Sequence, residues 1–172
     1  MHEHVPVCEI RAAHFCLSMS LAIGLISDTH GLLRPEAKRA LAGVSRIIHA
    51  GDIGTRTVLE ELHAIAPVDA IRGNNDRGDA WARALPATRV LELTEARIFV
   101  LHDLKELDFE PAREGFGVVV AGHSHRAAIE RRDGVLYVNP GSAGPRRFNL
   151  PVTIGFLQLA PGSIRARIRE LL

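Results

Sequence analysis

The sequence predicts an α/β fold, and three observations carry the prediction. The first half alternates short apolar runs with amphipathic helical segments, the pattern of strands wound with helices. The second half is mostly strands joined as hairpins. Five of the apolar runs end at a side chain able to ligate a metal, and strand ends are where open α/β sheets build their sites.

Residues 1 to 19 stand apart. They carry His2, His4, His14, Cys8 and Cys16 with no helix or strand period and no zinc-site spacing. They are expected to form a flexible extension to a domain spanning 20 to 172, with Met19 an equally natural start. The run from Ala12 to Ile26 is mostly apolar, but cleavage as a secretory leader would remove the strand that leads to Asp28. Strand 21–27 runs into Asp28-Thr29-His30. Segment 34–43 has Pro35 near its start and Gly43 just past its end, the asymmetry of a short helix. Strand 46–50 runs into Gly51-Asp52. In segment 55–66, Val58, Leu59, Leu62, Ile65 and Ala66 make one helical stripe. Thr57 and Glu60 have capping-box spacing, and Pro67 stops the helix. Strand 68–72 runs into Gly73-Asn74-Asn75-Asp76.

A polar loop to Pro86 follows, in which Trp81 reads as a packed anchor rather than a stacking platform. Strands 89–93 and 97–101 form a hairpin about Thr94-Glu95-Ala96, and the second runs into His102. Segment 103–114 reads as one or two short helices broken at Pro111. The run from Phe116 to Ala121 is continuously apolar, as a strand buried on both faces would be, and it opens into Gly122-His123-Ser124-His125. Asp133-Gly134 joins strands 126–132 and 135–138, and that dipeptide supplies the positive φ values of a type I′ turn. A turn-rich loop, 139–145, precedes a last hairpin around Pro161-Gly162.

Length and composition narrow the function classes. A chain of 172 residues is expected to be one domain, able to bury about 70% of its unfolded surface without staples. The net charge of +1 gives no overall footprint for nucleic acid or a membrane. No apolar run reaches membrane-spanning length. Cysteine is confined to positions 8 and 16, which fits a reducing compartment, so a cytoplasmic protein is expected. A homo-oligomer is left open.

Asp28, His30, Asp52, Asn74, His102, His123 and His125 gather at strand ends: two carboxylates, one amide and four imidazoles. One ion takes three or four such ligands, so seven suggest two ions with a shared bridge, for which Asp52 is the natural carboxylate. Mixed imidazole and carboxylate donors suit manganese, iron, zinc, nickel or cobalt rather than calcium or magnesium alone. Two ions about 3.5–4 Å apart polarise a bridging water to hydroxide and clamp the phosphoryl oxygens of an in-line displacement. Gly51, Gly73 and Gly122 each precede a ligand, where the chain is expected to turn sharply off a strand.

In order, D-x-H, G-D, G-N-x-D, a strand-end histidine and G-H-x-H make the chain similar to the calcineurin-like metallophosphoesterase superfamily. Its small size and its Asn139-Pro140-Gly141-Ser142 loop resemble the minimal branch, the short prokaryotic phosphodiesterases related to the retromer scaffold subunit. The resemblance implies a four-layer α/β/β/α sandwich of two mixed sheets flanked by helices. It implies a first ion on Asp28, His30, Asp52 and His125, and a second on Asp52, Asn74, His102 and His123, with manganese foremost. It implies hydrolysis of a small phosphate ester, a diester ahead of a monoester, by attack of a metal-bound hydroxide, or, as the alternative, a non-catalytic metal-binding protein-interaction scaffold of the same fold.

Two positions depart from that pattern. Asn75 stands where many such enzymes have the histidine that protonates the leaving alcohol, which leaves Asp76 or water as the proton source. Asp103 follows His102 where glycine is usual. Arg72, Arg77 and Asn75 are the candidates for substrate contact, with Arg146 and Arg147 behind them, and His49 reads as a buried residue. Arg165, Arg167 and Arg169 alternate with Ile164, Ala166 and Ile168, a row expected to be a solvated strand edge that resists aggregation.

Overall fold

A computed structural model of the chain describes residues 20–147 and 149–172; the expectations for residues 1 to 19 lie outside them. Two five-stranded mixed sheets face each other. The first contains β1 (Leu21–Ile26), β2 (Arg46–His49), β3 (Val68–Ala70), β9 (Thr153–Ala160) and β10 (Ser163–Glu170). The second contains β4 (Thr88–Leu93), β5 (Ala96–Leu101), β6 (Val118–Val120), β7 (Ala128–Arg132) and β8 (Val135–Asn139).

Strands β1, β2 and β3 run parallel, joined by α1 (Pro35–Leu41) and α2 (Arg56–His63), while β9 and β10 complete that sheet antiparallel. In the second sheet β5, β6 and β8 are parallel, and β4 and β7 pair antiparallel at its edges. The consequence for function is direct: β1, β2, β5 and β6 all deliver their carboxyl ends to one side.

The core lies between the sheets. Ile23, Leu25 and Ile48 of the first meet Ile98, Val100, Val118 and Val120 of the second. A second cluster packs Ala37, Leu41, Val58 and Leu62 of the helices on Ile26, Ile47, Ile154 and Phe156. Trp81 joins this cluster, as expected for a loop anchor. Buried Asp69 on β3 ties the sheet edges by accepting from Arg46 of β2 and, at 2.8 Å, from Arg89 of β4. The arginines of β10 stay exposed while Ile164, Ala166 and Ile168 turn inward. Asp133 and Gly134 take φ of 48° and 82°, the type I′ turn that their identity predicts.

Two local expectations are corrected. The helix α2 begins at Arg56 after Thr55, which makes no side-chain cap, so Thr57 lies inside the helix and the Thr57/Glu60 box is unused. Segment 103–114 contains only the 3₁₀ turn Leu104–Glu106, followed by turns. Pro111 cannot donate within a helix, and Phe109 instead turns onto Phe99 and Phe116, at ring-centroid distances of 5.0 and 5.7 Å. This irregular layer covers the outer face of the second sheet over Leu101, Val119 and Val135.

Ile98 is fully buried between the sheets. Ile98→Ala is expected to cost about 2–5 kcal/mol through lost burial and a residual cavity. The check is urea denaturation, with the midpoint falling and the slope unchanged.

Candidate metal centre

Asp28 and His30 follow β1, Asp52 follows β2, Asn74 follows β3, His102 follows β5, and His123 and His125 follow β6. The structure brings all seven to one end of the two sheets. Donor atoms of Asp28, His30 and His125 lie within 4.8 Å of one another, as do those of Asp28, Asp52 and His102. The His125 Nε2 is 3.3 Å from Asp28 Oδ1 and 3.4 Å from His30 Nε2. On the other side, His123 Nδ1 lies 3.1 Å from Asn74 Oδ1. Asp52 Oδ2 stands between, 4.0 Å from His30 Nε2 and 3.4 Å from His102 Nε2.

The backbone holds these residues in an unusual way. Asp28, His30, Asp52, His123 and His125 all have φ between 45° and 64°. L-residues enter that left-handed region only at a cost, and such outliers mark functional turns. Residue types alone did not disclose this. The glycines are needed for closeness more than for turning. Gly51 has φ 92°, but Gly73 and Gly122 do not need the left-handed region. A Cβ on Gly73 would sit 2.1 Å from Asp52 Oδ1, and one on Gly122 would sit 1.9 Å from Ser27 Oγ.

Side chains around the donors fix which atoms are presented. Asp28 Oδ2 accepts from the Ser27 hydroxyl at 2.5 Å and the His123 N–H at 3.1 Å, which leaves Oδ1 buried and unpartnered. His102 Nδ1 donates to the Ala50 carbonyl at 2.8 Å, so its buried, unpartnered Nε2 faces the centre. Orphaned buried polar atoms of this kind call for an ion or water, and a carboxylate oxygen beside an imidazole lone pair fits a divalent transition metal. Burial works to lower His102, but the nearby Asp52 carboxylate and the Ala50 carbonyl outweigh it and hold the imidazole above its ordinary range. Burial works to raise Asp52, yet His102 and the Asn75 donors carry its carboxyl well below the usual carboxylate range.

The remaining candidates divide. Asn75 reaches the centre by donating its backbone N–H at 2.9 Å and its amide at 2.5 Å to Asp52. Asp76, expected as a proton source, is fully buried. Its oxygens accept from the N–H groups of Gly73, Ile53 and Gly54 at 2.8, 3.1 and 2.9 Å, so it stands as an anchor locking the third motif to the second. Arg72 and Arg77 line a cavity of about 710 Å³ that opens beside Asn74, His102 and His123. Arg146 donates to the Leu172 carbonyl at 3.2 Å, and exposed Arg147 works to lower His30, although burial is the larger cause.

Four contributors had no site role in the sequence analysis. Asp103 Oδ2 faces His123 Nε2 at 3.4 Å, and Arg83 lines the cavity. Asn139 donates to the Gly122 carbonyl at 2.7 Å, and Ser142 to the Asp28 carbonyl at 3.0 Å. For Asp103 the signal was its departure from glycine; for Asn139 and Ser142, their turn chemistry. Arg83 had no local signal.

The fold and donor set together define a metal-binding two-sheet α/β protein. Residues 21–162 match the profile of the calcineurin-like phosphoesterase superfamily domain, and the chain belongs to that superfamily. It is 33% identical over 143 residues to a probable metallophosphoesterase of Methanothermobacter thermautotrophicus, covering 76% of this chain and 82% of that one. It is 30% identical over 155 residues to a phosphodiesterase of Escherichia coli, covering 76% and 84%. A solved archaeal phosphodiesterase superposes with a TM-score of 0.65 at 26% identity, over 87% of this chain and all of that one. Vacuolar protein sorting 29 of Cryptosporidium parvum shares the fold, with a TM-score of 0.71 at 19% identity over 88% and 97%. No helix among the described residues is long and apolar enough to cross a membrane.

His49 is buried, as expected, and it also bonds. Its Nδ1 accepts from Gly51 N–H at 3.2 Å, so the neutral ring carries its proton on Nε2, 2.9 Å from Thr29 Oγ1. The Thr29 hydroxyl in turn donates to the Ile53 carbonyl at 2.9 Å. Burial pushes His49 down to about 4 from its ordinary 6.5. The unfolded chain therefore takes up this proton first, and stability is lost as pH falls from 6.5 toward 4. The contribution is about 3 kcal/mol. Thermal melts of metal-free protein across that window should show the loss, and His49→Gln should flatten this part of the slope.

Proposed function

We propose that the protein is a metal-dependent phosphodiesterase. The observation that carries the reading is the pair of buried, unpartnered donor atoms, Asp28 Oδ1 and His102 Nε2, aimed into a cluster of imidazoles beside an arginine-lined cavity. Asp28, His30, Asp52 and His125 would hold one divalent ion, and Asp52, Asn74, His102 and His123 a second, with manganese the first metal to try. Bound there, the ions supply Lewis acidity, which polarises a phosphoryl oxygen and lowers the pKa of water.

The chain's own residues do the rest. Asp52 serves both halves because its Oδ2 stands between His30 and His102. Ser27 and the His123 N–H turn Asp28 so that Oδ1 is the free ligand atom. Asn75 orients Asp52 through two hydrogen bonds and lies at the exposed rim, where a substrate oxygen can meet its amide. An amide holds no transferable proton, so the leaving alcohol is protonated from solvent. Arg72 and Arg77 offer N–H groups to substrate anions from the cavity wall. Named relatives that are phosphodiesterases support a diester over a monoester.

Asp52→Asn is the direct test. It should remove most bound metal, measured by elemental analysis, and at least about 100-fold of the hydrolysis of bis(p-nitrophenyl) phosphate, with the far-ultraviolet circular dichroism unchanged. Normal metal content with full turnover would overturn the two-ion reading.

The absence of a side-chain acid gives a second expectation. Activated aryl esters should turn over far faster than alkyl esters. General acid catalysis contributes roughly 10²–10⁴-fold where geometry is right, so Asn75→His should help alkyl esters selectively, by some part of that factor. The comparison belongs at saturating metal, and equal response of both substrate classes would remove Asn75 from the acid position.

A further inference from the structure

Three arginines, Arg72, Arg77 and Arg83, line the cavity of about 710 Å³ beside His102 and His123. That volume falls in the ~300–1,000 Å³ range of small-molecule sites, so it holds far more than one phosphoryl group. Two carboxylates, Asp103 and Glu106, share the lining, and each already faces a cationic or imidazole partner. Glu106 lies 3.4 Å from Arg77, and Asp103 lies 3.4 Å from His123. Arg72 is pinned by donating to the Leu85 carbonyl. Arg83 differs: among the described residues it has no ion pair, and it stands exposed on the 3₁₀ turn Trp81–Ala84. The turn beneath it is firmly seated, because Ala82 is fully buried and Trp81 packs on the helical cluster. The cavity therefore offers a guanidinium without an ion pair among the described residues, on a rigid support, in the same cavity as the metal candidates Asn74, His102 and His123. A guanidinium fork matches phosphate oxygens in pairs.

We propose, resting on the phosphodiesterase reading, that this cavity is a subsite for a second phosphate carried on one alcohol of the ester, and that Arg83 is its principal ligand. The substrate class is then a phosphodiester bearing a further phosphate, rather than a diester of two neutral alcohols. Arg72 and Arg77 line the same cavity.

Two chromogenic probes with the same leaving group test this: thymidine 5′-(p-nitrophenyl phosphate) and its 3′-phosphorylated counterpart. In the metal-loaded protein the 3′-phosphate should lower KM by about tenfold, the worth of one charge-assisted contact, with kcat little changed. Arg83→Ala should bring the KM ratio of the two probes to about one, and Arg83→Lys should keep part of the preference. Calorimetric titration with thymidine 3′,5′-bisphosphate and thymidine 5′-phosphate should give the same tenfold ratio and the same loss in Arg83→Ala. A ratio near one in the wild type, or one unchanged in Arg83→Ala, overturns the subsite. If bis(p-nitrophenyl) phosphate is cleaved while the ratio is one, the phosphodiesterase reading stands and the subsite falls. If no diester is cleaved, that reading falls, and the calorimetric ratio alone decides the subsite.

Discussion

The structure depends on two buried carboxylates whose counter-charge is not an arginine or a lysine. Asp28 is fully buried and Asp52 nearly so, and among the described residues the ion-pair partners within 4.0 Å of them are imidazoles. An uncompensated buried charge is expensive. The nearby backbone and hydroxyl donors lessen that cost on one oxygen of Asp28 and on Asp52. Asp28 Oδ1 is left without a hydrogen bond, with His125 Nε2 3.3 Å away, and a cation is the ordinary remedy.

Everything nearby answers to that arrangement. The parallel strands β1, β2, β5 and β6 aim their ends at one side, so donors far apart in sequence converge without long loops. Gly73 and Gly122 exist because a methyl group would collide with Asp52 and Ser27. His49 and Asp76 sit beneath the donors and hold one loop to the next. Asn139, the last residue of β8, and Ser142 beyond it close the ring by gripping the carbonyls of Gly122 and Asp28. The site is thus a set of loops fastened to each other, on two sheets that contribute direction rather than ligands.

The legible part of the sequence was the part where one residue has one local job. Asp133-Gly134 makes its turn, Pro35 starts its helix, and the apolar run 116–121 yields a strand buried at Val118, Val119 and Val120. The metal candidates were legible because histidine and aspartate at strand ends have few local reasons to be there. What escaped were residues whose job is set by a distant neighbour. Asp76 looked like an acid and is an anchor, because its partners Ile53 and Gly54 lie on another loop. The Thr57/Glu60 spacing suggested a cap that the chain's entry at Thr55 does not use. Segment 103–114 carries helical composition, but Phe109 is worth more packed on Phe99 and Phe116 than turned out on a helix. Arg83 becomes meaningful only once the cavity exists.

The left-handed backbone at Asp28, His30, Asp52, His123 and His125 bears on how such motifs drift over evolutionary time. Asparagine, aspartate and histidine enter that region several-fold more readily than most residues. Five motif letters are therefore favoured by main-chain shape as well as by chemistry, and a descendant that had abandoned catalysis would still tend to keep them. His102 and Asn74 are free of that constraint, since neither has a positive φ. Their own φ angles call for neither an imidazole at 102 nor an amide at 74. Those two positions are therefore the ones where ligand chemistry, rather than main-chain shape, accounts for the residue.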